Sequence, residues 1–118
     1  MAVRPRDVVR IFDRHTRPNK RKWHICVCDE RQLFLRINSD PVFPPHHQLL
    51  AANNPFLHHD SYVELQQLVR HIADDIVQAE HLGALTLQET RSLVATVERA
   101  ETLSDEHKDL IRERLLGK

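Results

Sequence analysis

The sequence predicts an α+β protein with a β-rich first half and a helical second half. Up to about Leu65, short runs rich in β-branched and aromatic residues alternate with turn-forming residues. Beyond Leu65, apolar residues recur with helical spacing, behind Thr and Ser residues that suit helix N-termini. We therefore expect residues 8–65 to form a small, mostly antiparallel barrel and residues 66–118 a helical portion, with two helices over residues 87–116 packed on the barrel.

Length and composition are those of one folded domain over residues 1–118. A hydrophobic fraction of 41% and a charged fraction of 29% are typical of globular proteins and not of disordered chains. No apolar run approaches the roughly 20 residues that span a bilayer, and no segment resembles a secretory signal. Cys26 and Cys28 stand one residue apart, which predicts the same face of one strand and no disulfide between them. We expect a cytoplasmic protein without membrane contact.

Four segments of the first half have the length and residue types of strands. They contain many β-branched and aromatic residues and end at turn-forming residues. The segments are residues 6–12, 23–28, 33–38 and 62–65. Residues 29–32 have the length of a hairpin loop, so we expect the second and third strands to pair. Ser61 and Glu64 would also fit a capping box, which leaves open a helix running to Val77.

Two segments between these strands are less regular. Residues 46–52 fit either a short strand or a turn of helix, and periodicity does not decide between them. Residues 41–45 contain three prolines. Because proline lacks the backbone N–H that a central strand donates, we expect an irregular crossing at the surface there.

Helical periodicity begins near Leu65 and resumes after an interruption at Gly83. Thr86 followed by Glu89 is a capping box that starts one helix. Ser104 precedes the last helix, whose acidic first turn suits the helix dipole. The apolar stripes of these two helices exceed what a small barrel needs as cover. We therefore expect self-association or a partner protein at that surface.

Charge is divided unevenly along a chain whose formal net charge is zero. Residues 1–59 carry ten Lys/Arg and five Asp/Glu, whereas residues 60–118 carry seven and twelve. A basic loop over residues 13–22 holds much of the positive charge. Such a division favours a basic face that binds a polyanion, although mutual attraction of the two halves would also account for it.

Three segments of the first half occur in an order that carries a family resemblance. A basic loop ending in Lys22 leads into a strand, a later strand ends in Asn38-Ser39, and the run from Phe56 to Tyr62 reads Phe-Leu-x-x-Asp-Ser-Tyr. In these features the chain resembles the PemK/MazF-like family of toxin-type proteins. The resemblance covers roughly residues 8–65 and implies an SH3-like β-barrel. It also implies a metal-independent endoribonuclease, a homodimer, and an antitoxin-like protein partner.

The chain departs from that family at three places. It lacks the early Gly-rich loop with its acidic residue, since it has only two glycines. Active members carry an Arg-Pro pair where this chain has Lys22-Trp23, and a Thr-Ser pair where it has Asn38-Ser39. A lysine neutralises phosphate as a point charge without the planar two-point grip of arginine. Two alternatives to an active toxin are therefore open. One is an attenuated relative, and the other is a non-catalytic SH3-like module that binds a protein or nucleic acid.

RNA cleavage without metal needs a base, an acid and cations beside the phosphate. Histidine is the usual acid–base group near neutral pH, and His24, His58 and His59 are available. We expect the phosphate to lie between residues 17–22 and residues 58–61. The candidate catalytic residues are Lys22, His59, Asp60 and Ser61, and the candidate RNA-binding residues are Arg17, Lys20, Arg21, Asn38 and Ser39. A turn or cap is the alternative role for Asp60 and Ser61.

Nine histidines raise a third possibility, a metal-dependent hydrolase. The pair His46-His47 and the run from His58 to Asp60 would supply imidazole and carboxylate ligands for a zinc-type site. Adjacent histidines in a strand point to opposite faces, however, so each pair supplies one ligand. No HExxH motif and no pair of Cys-x2-Cys motifs occurs. We therefore expect no metal site and no cofactor.

Overall fold

The described residues form an antiparallel sheet of seven strands, three helices and one 3-10 turn. The computed structural model describes residues 2–41 and 43–117. The elements are β1 (Asp7–Asp13), β2 (Lys20–Cys28), β3 (Leu33–Asn38), β4 (His46–Leu49), the 3-10 turn (Ala51–Asn53), β5 (Ser61–Glu64), β6 (Val69–Arg70), α1 (Ala73–Val77), β7 (Glu80–Ala84), α2 (Leu87–Glu98) and α3 (Asp105–Leu116). The α+β prediction is confirmed at this level.

The strand order of the sheet is β4-β5-β3-β2-β1-β7, and β6 also pairs with β3. Strands β2 and β3 form the expected hairpin, in which Trp23 lies opposite Ile37. The last strand, β7, returns to pair with the first, with Asp7 opposite Ala84. This return places β1 inside the sheet, between β2 and β7.

Helices α2 and α3 cover one face of the sheet. Leu93 and Val97 of α2 and Ile111 and Leu115 of α3 are buried in the larger apolar cluster, together with residues of most strands. The predicted caps are present: the Thr86 hydroxyl accepts from the Glu89 N–H, and the Ser104 hydroxyl accepts from the His107 N–H, each at 3.1 Å.

The burial of these helix faces bears on the expected partner surface. Apart from Leu87, which is exposed, the apolar stripes of α2 and α3 pack in the chain's own core. They are therefore no reason to expect a partner, and association stays a prediction that rests on the family resemblance.

A second apolar cluster lies on the other face of the sheet and consists of Val9, Ile11, Cys26 and Phe34. The prediction that both cysteines share a face is wrong. A register shift between Cys26 and Cys28 leaves Cys28 in the larger cluster instead. A bulge inserts one extra residue and so reverses the side on which the next side chain points. Both thiols are buried and free.

Residues 65–84 are not the helix that the spacing of apolar residues predicts. The segment contains β6, the five-residue α1 and β7, and Gly83 lies within a strand. Leu65 follows β5 and Val69 begins β6, and both are buried, so their helix-like spacing arises in a segment that is not helical. Of the two alternatives for residues 62–65, the strand is correct up to Glu64: β5 covers Ser61–Glu64 and pairs with β4, and Leu65 lies just beyond it.

Two smaller details differ from the sequence prediction, and a third agrees with it where it is described. Residues 46–52 contain both alternatives, a strand and then the start of the 3-10 turn. The basic loop is shorter than residues 13–22, because β1 ends at Asp13 and β2 begins at Lys20. The expected crossing over residues 41–45 is irregular where it is described, and Val42 lies outside the described residues.

In the described part of the chain, no helix has the length and apolar character of a membrane span.

Candidate nucleic-acid cleft

A cleft of about 500 Å³ opens where three strand ends meet. Since β2 and β3 are antiparallel, the beginning of β2 lies beside the end of β3. The beginning of β5 adjoins the same place, with Tyr62 opposite Asn38. The lining residues are Lys20, Arg21, Lys22, Trp23, Ile37, Asn38, Ser39, Asp40, Leu57, His58, His59 and Ser61.

Seven of the nine candidate site residues line this cleft. They are Lys20, Arg21, Lys22, Asn38, Ser39, His59 and Ser61. Arg17 and Asp60 are not among the lining residues. The Arg17 guanidinium donates to Asn19 Oδ1 at 3.3 Å within the loop. Asp60 Oδ1 accepts from the Ala51 N–H at 2.8 Å, so this carboxylate holds the turn that follows β4. For Asp60, the structural alternative describes the observed contact.

Lys22 lines the cleft and is partly buried. Its Nζ donates to Asn38 Oδ1 at 2.7 Å, and the Asn38 amide in turn donates to Glu64 Oε2 at 3.0 Å. Burial and the neighbouring charges of Arg36 and Lys20 lower the pKa of Lys22 from its ordinary value. The side chain is thus held in one place by a neutral partner, and its charge stays available to an anion.

An aromatic surface adjoins the cations. The Trp23 ring packs beside two other rings. Its centroid lies 6.4 Å from that of Phe56 and 6.1 Å from that of His58, and the Trp23 and His58 rings are in a T-shaped arrangement. Trp23 and His58 both line the cleft. Aromatic rings next to basic side chains are the arrangement on which unpaired bases stack in proteins that bind single-stranded nucleic acid.

His59 and Ser61 do not form a nucleophile–base pair. The Ser61 hydroxyl donates to the His59 carbonyl at 3.1 Å and is 3.5 Å from His59 Nδ1. His59 Nδ1 lies 3.0 Å from the Asp60 carbonyl, which assigns its proton to Nδ1. The exposed Nε2 of His59 is therefore the atom that can exchange a proton with a bound molecule.

A buried ion network, which sequence reasoning missed, lies on the face of the second apolar cluster. Arg36 Nε donates to Asp13 Oδ2 at 2.7 Å, and Arg36 Nη1 donates to Glu64 Oε1 at 3.3 Å. Asp13 and His24 are fully buried. Burial alone would raise the pKa of Asp13, but its contacts with the His24 imidazole and the Arg36 guanidinium hold the pKa well below its usual range.

This network closes on itself through Lys22. His24 Nδ1 donates to the Lys22 carbonyl at 3.0 Å, while the Lys22 ammonium begins the chain of contacts at Asn38. The order is Lys22, Asn38, Glu64, Arg36, Asp13, His24. The sequence signal for this network is polar residues two positions apart on one strand. Lys22 and His24 are spaced in this way on β2, and Arg36 and Asn38 on β3. Polar residues at alternate strand positions are ordinarily taken as a solvated face.

The histidine pairs of the metal alternative do not converge. The centroids of the His46 and Tyr62 rings are 5.2 Å apart. His47 Nδ1 lies 2.7 Å from Thr96 Oγ1 on α2. His58 and His59 belong to the cleft. Among the residues that the structure describes, a different group has metal-ligand spacing: Asp13, His15 and His71.

No protein-family model matches the chain, and a search of curated proteins finds no match either. The resemblance to PemK/MazF-like proteins therefore rests on the residues of the chain alone.

Proposed function

We propose that this protein is a PemK/MazF-like, SH3-like barrel protein that binds single-stranded RNA in the cleft and cleaves it without metal. One observation carries the proposal. Three strand ends bring the cations of residues 20–22, the polar pair Asn38-Ser39 and the imidazoles of His58 and His59 around one cavity of about 500 Å³. A cavity with this lining suits a phosphate next to an unpaired base.

The chemistry follows from the groups that line the cleft. His59 takes the proton of a ribose 2′-hydroxyl, whose oxygen then attacks the adjacent phosphorus atom. The bond from phosphorus to the 5′ oxygen breaks, and His58 returns a proton to that oxygen. Lys22 and Arg21 stabilise the negative charge that develops on the phosphate oxygens. The products of this step are a 2′,3′-cyclic phosphate and a 5′-hydroxyl end.

The test is a gel assay of single-stranded RNA in EDTA, with folding checked by circular dichroism in the same buffer. We expect cleavage by the parent protein. His59→Ala should bind RNA nearly as well and turn over about 10²–10⁴-fold more slowly. His81→Ala is the matched control: His81 lies on β7, contacts Asp7 of β1 and is not among the residues that line the cleft.

Lys22→Ala separates binding from proton transfer. Loss of one phosphate contact should weaken RNA binding regardless of sequence and flatten the salt dependence of the affinity by about one unit of slope. If the Lys22 and His59 variants bind and cut RNA as the parent does, the cleft is not the site.

A second candidate function is a non-catalytic RNA-binding module with the same cleft. The contacts of Asp60 and Ser61 favour it, because both side chains are engaged with backbone groups. Salt-dependent RNA binding without any cleavage would select this alternative. A cytoplasmic location, a homodimer and an antitoxin-like partner belong to the proposal of a toxin-type protein and not to the binding module.

A further inference from the structure

We propose that Asp13, His15 and His71 form a binding site for a zinc-class divalent cation, apart from the cleft. One ligand-type atom from each of the three side chains lies within 4.8 Å of the other two. They come from the end of β1, the loop after it and the segment between β6 and α1. No short sequence motif joins them, so the fold alone creates the group.

Hydrogen bonds at the far side of each ring determine which nitrogens are available. His15 Nε2 lies 2.9 Å from the Arg70 carbonyl, to which only an N–H can donate. His15 Nδ1 is therefore the nitrogen with a free lone pair. His24 donates through Nδ1 to the Lys22 carbonyl, so His24 Nε2 accepts the N–H of His71 Nε2 at 3.1 Å, which leaves the lone pair of His71 Nδ1 for a metal.

The partners of these ligands are those that metal sites ordinarily have. Ligating histidines donate their other ring N–H to a carbonyl or a similar acceptor, and ligating carboxylates are hydrogen-bonded in turn. Here the Asp13 carboxylate accepts from the backbone N–H of His15 at 2.9 Å and from Arg36 Nε at 2.7 Å. Glu64 accepts from Arg36 and offsets the charge of that guanidinium beside a cation.

The ligand set selects the class of cation. Two imidazole nitrogens and one carboxylate oxygen match zinc sites with three protein ligands, whose fourth position holds water. Magnesium and calcium prefer sets made of oxygen atoms alone. His71 is buried and His15 is exposed, so the cation would enter from the His15 side.

A cation here would fasten the segment after β6 to the sheet. Two contacts already join these parts of the chain without a metal. The His15 ring contacts the Arg70 carbonyl, and Arg14 Nε lies 2.7 Å from Asp75 Oδ2. The ion would add direct bonds between the two parts of the chain that these contacts join. We therefore expect zinc to stabilise the fold.

The test uses untagged full-length protein, freed of metal with EDTA and then exchanged into EDTA-free buffer. Isothermal titration with ZnCl2 should give about one ion per chain, and MgCl2 should give no comparable binding. Zinc should also raise the melting temperature.

His15→Ala is the informative variant because the side chain is exposed and its removal leaves the core intact. It should weaken zinc binding by about 10- to 100-fold and abolish the rise in melting temperature. His81→Ala, another exposed histidine, should behave as the parent does. Absence of stoichiometric zinc binding, or equal binding by both variants, would overturn the proposal. RNA plays no part in these readouts, so they are independent of the proposed function.

Discussion

At the scale of single residues, Lys22 determines how the proposed site depends on pH. An ammonium group is charged below its pKa and neutral above it, and burial beside Arg36 and Lys20 lowers this pKa. RNA affinity should therefore fall as pH rises from about 7 to 10. The fall should begin at a lower pH than it would with a lysine of ordinary pKa. Lys22→Arg should remove this part of the fall, because a guanidinium stays charged throughout. Fluorescence anisotropy with labelled RNA measures both proteins; identical pH profiles would contradict the role of Lys22.

Asp60 offers a second test at the residue scale, one that separates a structural from a catalytic carboxylate. Its Oδ1 accepts from the Ala51 N–H. Asp60→Ala should lower the free energy of unfolding by about 0.5–1.5 kcal/mol, whereas Asp60→Asn keeps an acceptor oxygen and should change it less. Urea denaturation measures the difference. If Asp60→Asn folds as the parent does but no longer cleaves RNA, the carboxylate is catalytic after all.

At the scale of elements, β7 supports the aromatic surface of the cleft through Gly83. A Cβ atom at this position would lie 2.9 Å from Phe56 Cδ1, and Phe56 packs against Trp23. Gly83→Ala should displace Phe56, cost about 1–3 kcal/mol of stability and shift the emission of the only tryptophan. Gly117→Ala is the control: a Cβ there meets no atom within 4 Å, although its φ of 74° favours glycine. An unchanged Trp23 spectrum in Gly83→Ala would contradict this link.

At the scale of the whole molecule, the buried ion network joins four strands into one polar layer. Arg36→Met would leave the Asp13 carboxylate buried without its cation, and breaking such a pair costs about 3–5 kcal/mol. Urea denaturation should show this loss. The exposed pair of Arg114 and Glu30 is the comparison, and Arg114→Ala should change stability little. A small effect of Arg36→Met would mean that water or a rearranged partner satisfies Asp13.

Local signals account for the parts of the fold that the sequence predicts. The β2–β3 hairpin follows from two strand-like runs and a four-residue link, and α2 and α3 follow from the caps at Thr86 and Ser104. Strand β7 has no such signal, because its partner is β1, at the other end of the β-rich part. Its residues pair by topology and not by local preference.

The candidate site divides in the same way. Lys22 and Ser61 share a cleft because antiparallel strands bring the start of one beside the end of the next, which alternation and turns foretell. Arg17 and Asp60 instead make hydrogen bonds to nearby residues of their own loops. Such short-range contacts do not affect the spacing of apolar residues, so the sequence pattern does not reveal them. His71 lies beside Asp13 and His15 only after β6 and α1 fold back, so the metal-ligand group was not predictable from the sequence.

The pairing of β1 with β7 also has a consequence for synthesis on the ribosome. β1 pairs with β2 early, but its other edge stays open until residues 80–84 have emerged. Until then a nascent chain carries an apolar strand containing Val8, Val9 and Ile11 with unpaired N–H and C=O groups along one side. Such an edge is a template for pairing with other chains, so polypeptides that stop short of β7 should aggregate where the full chain does not.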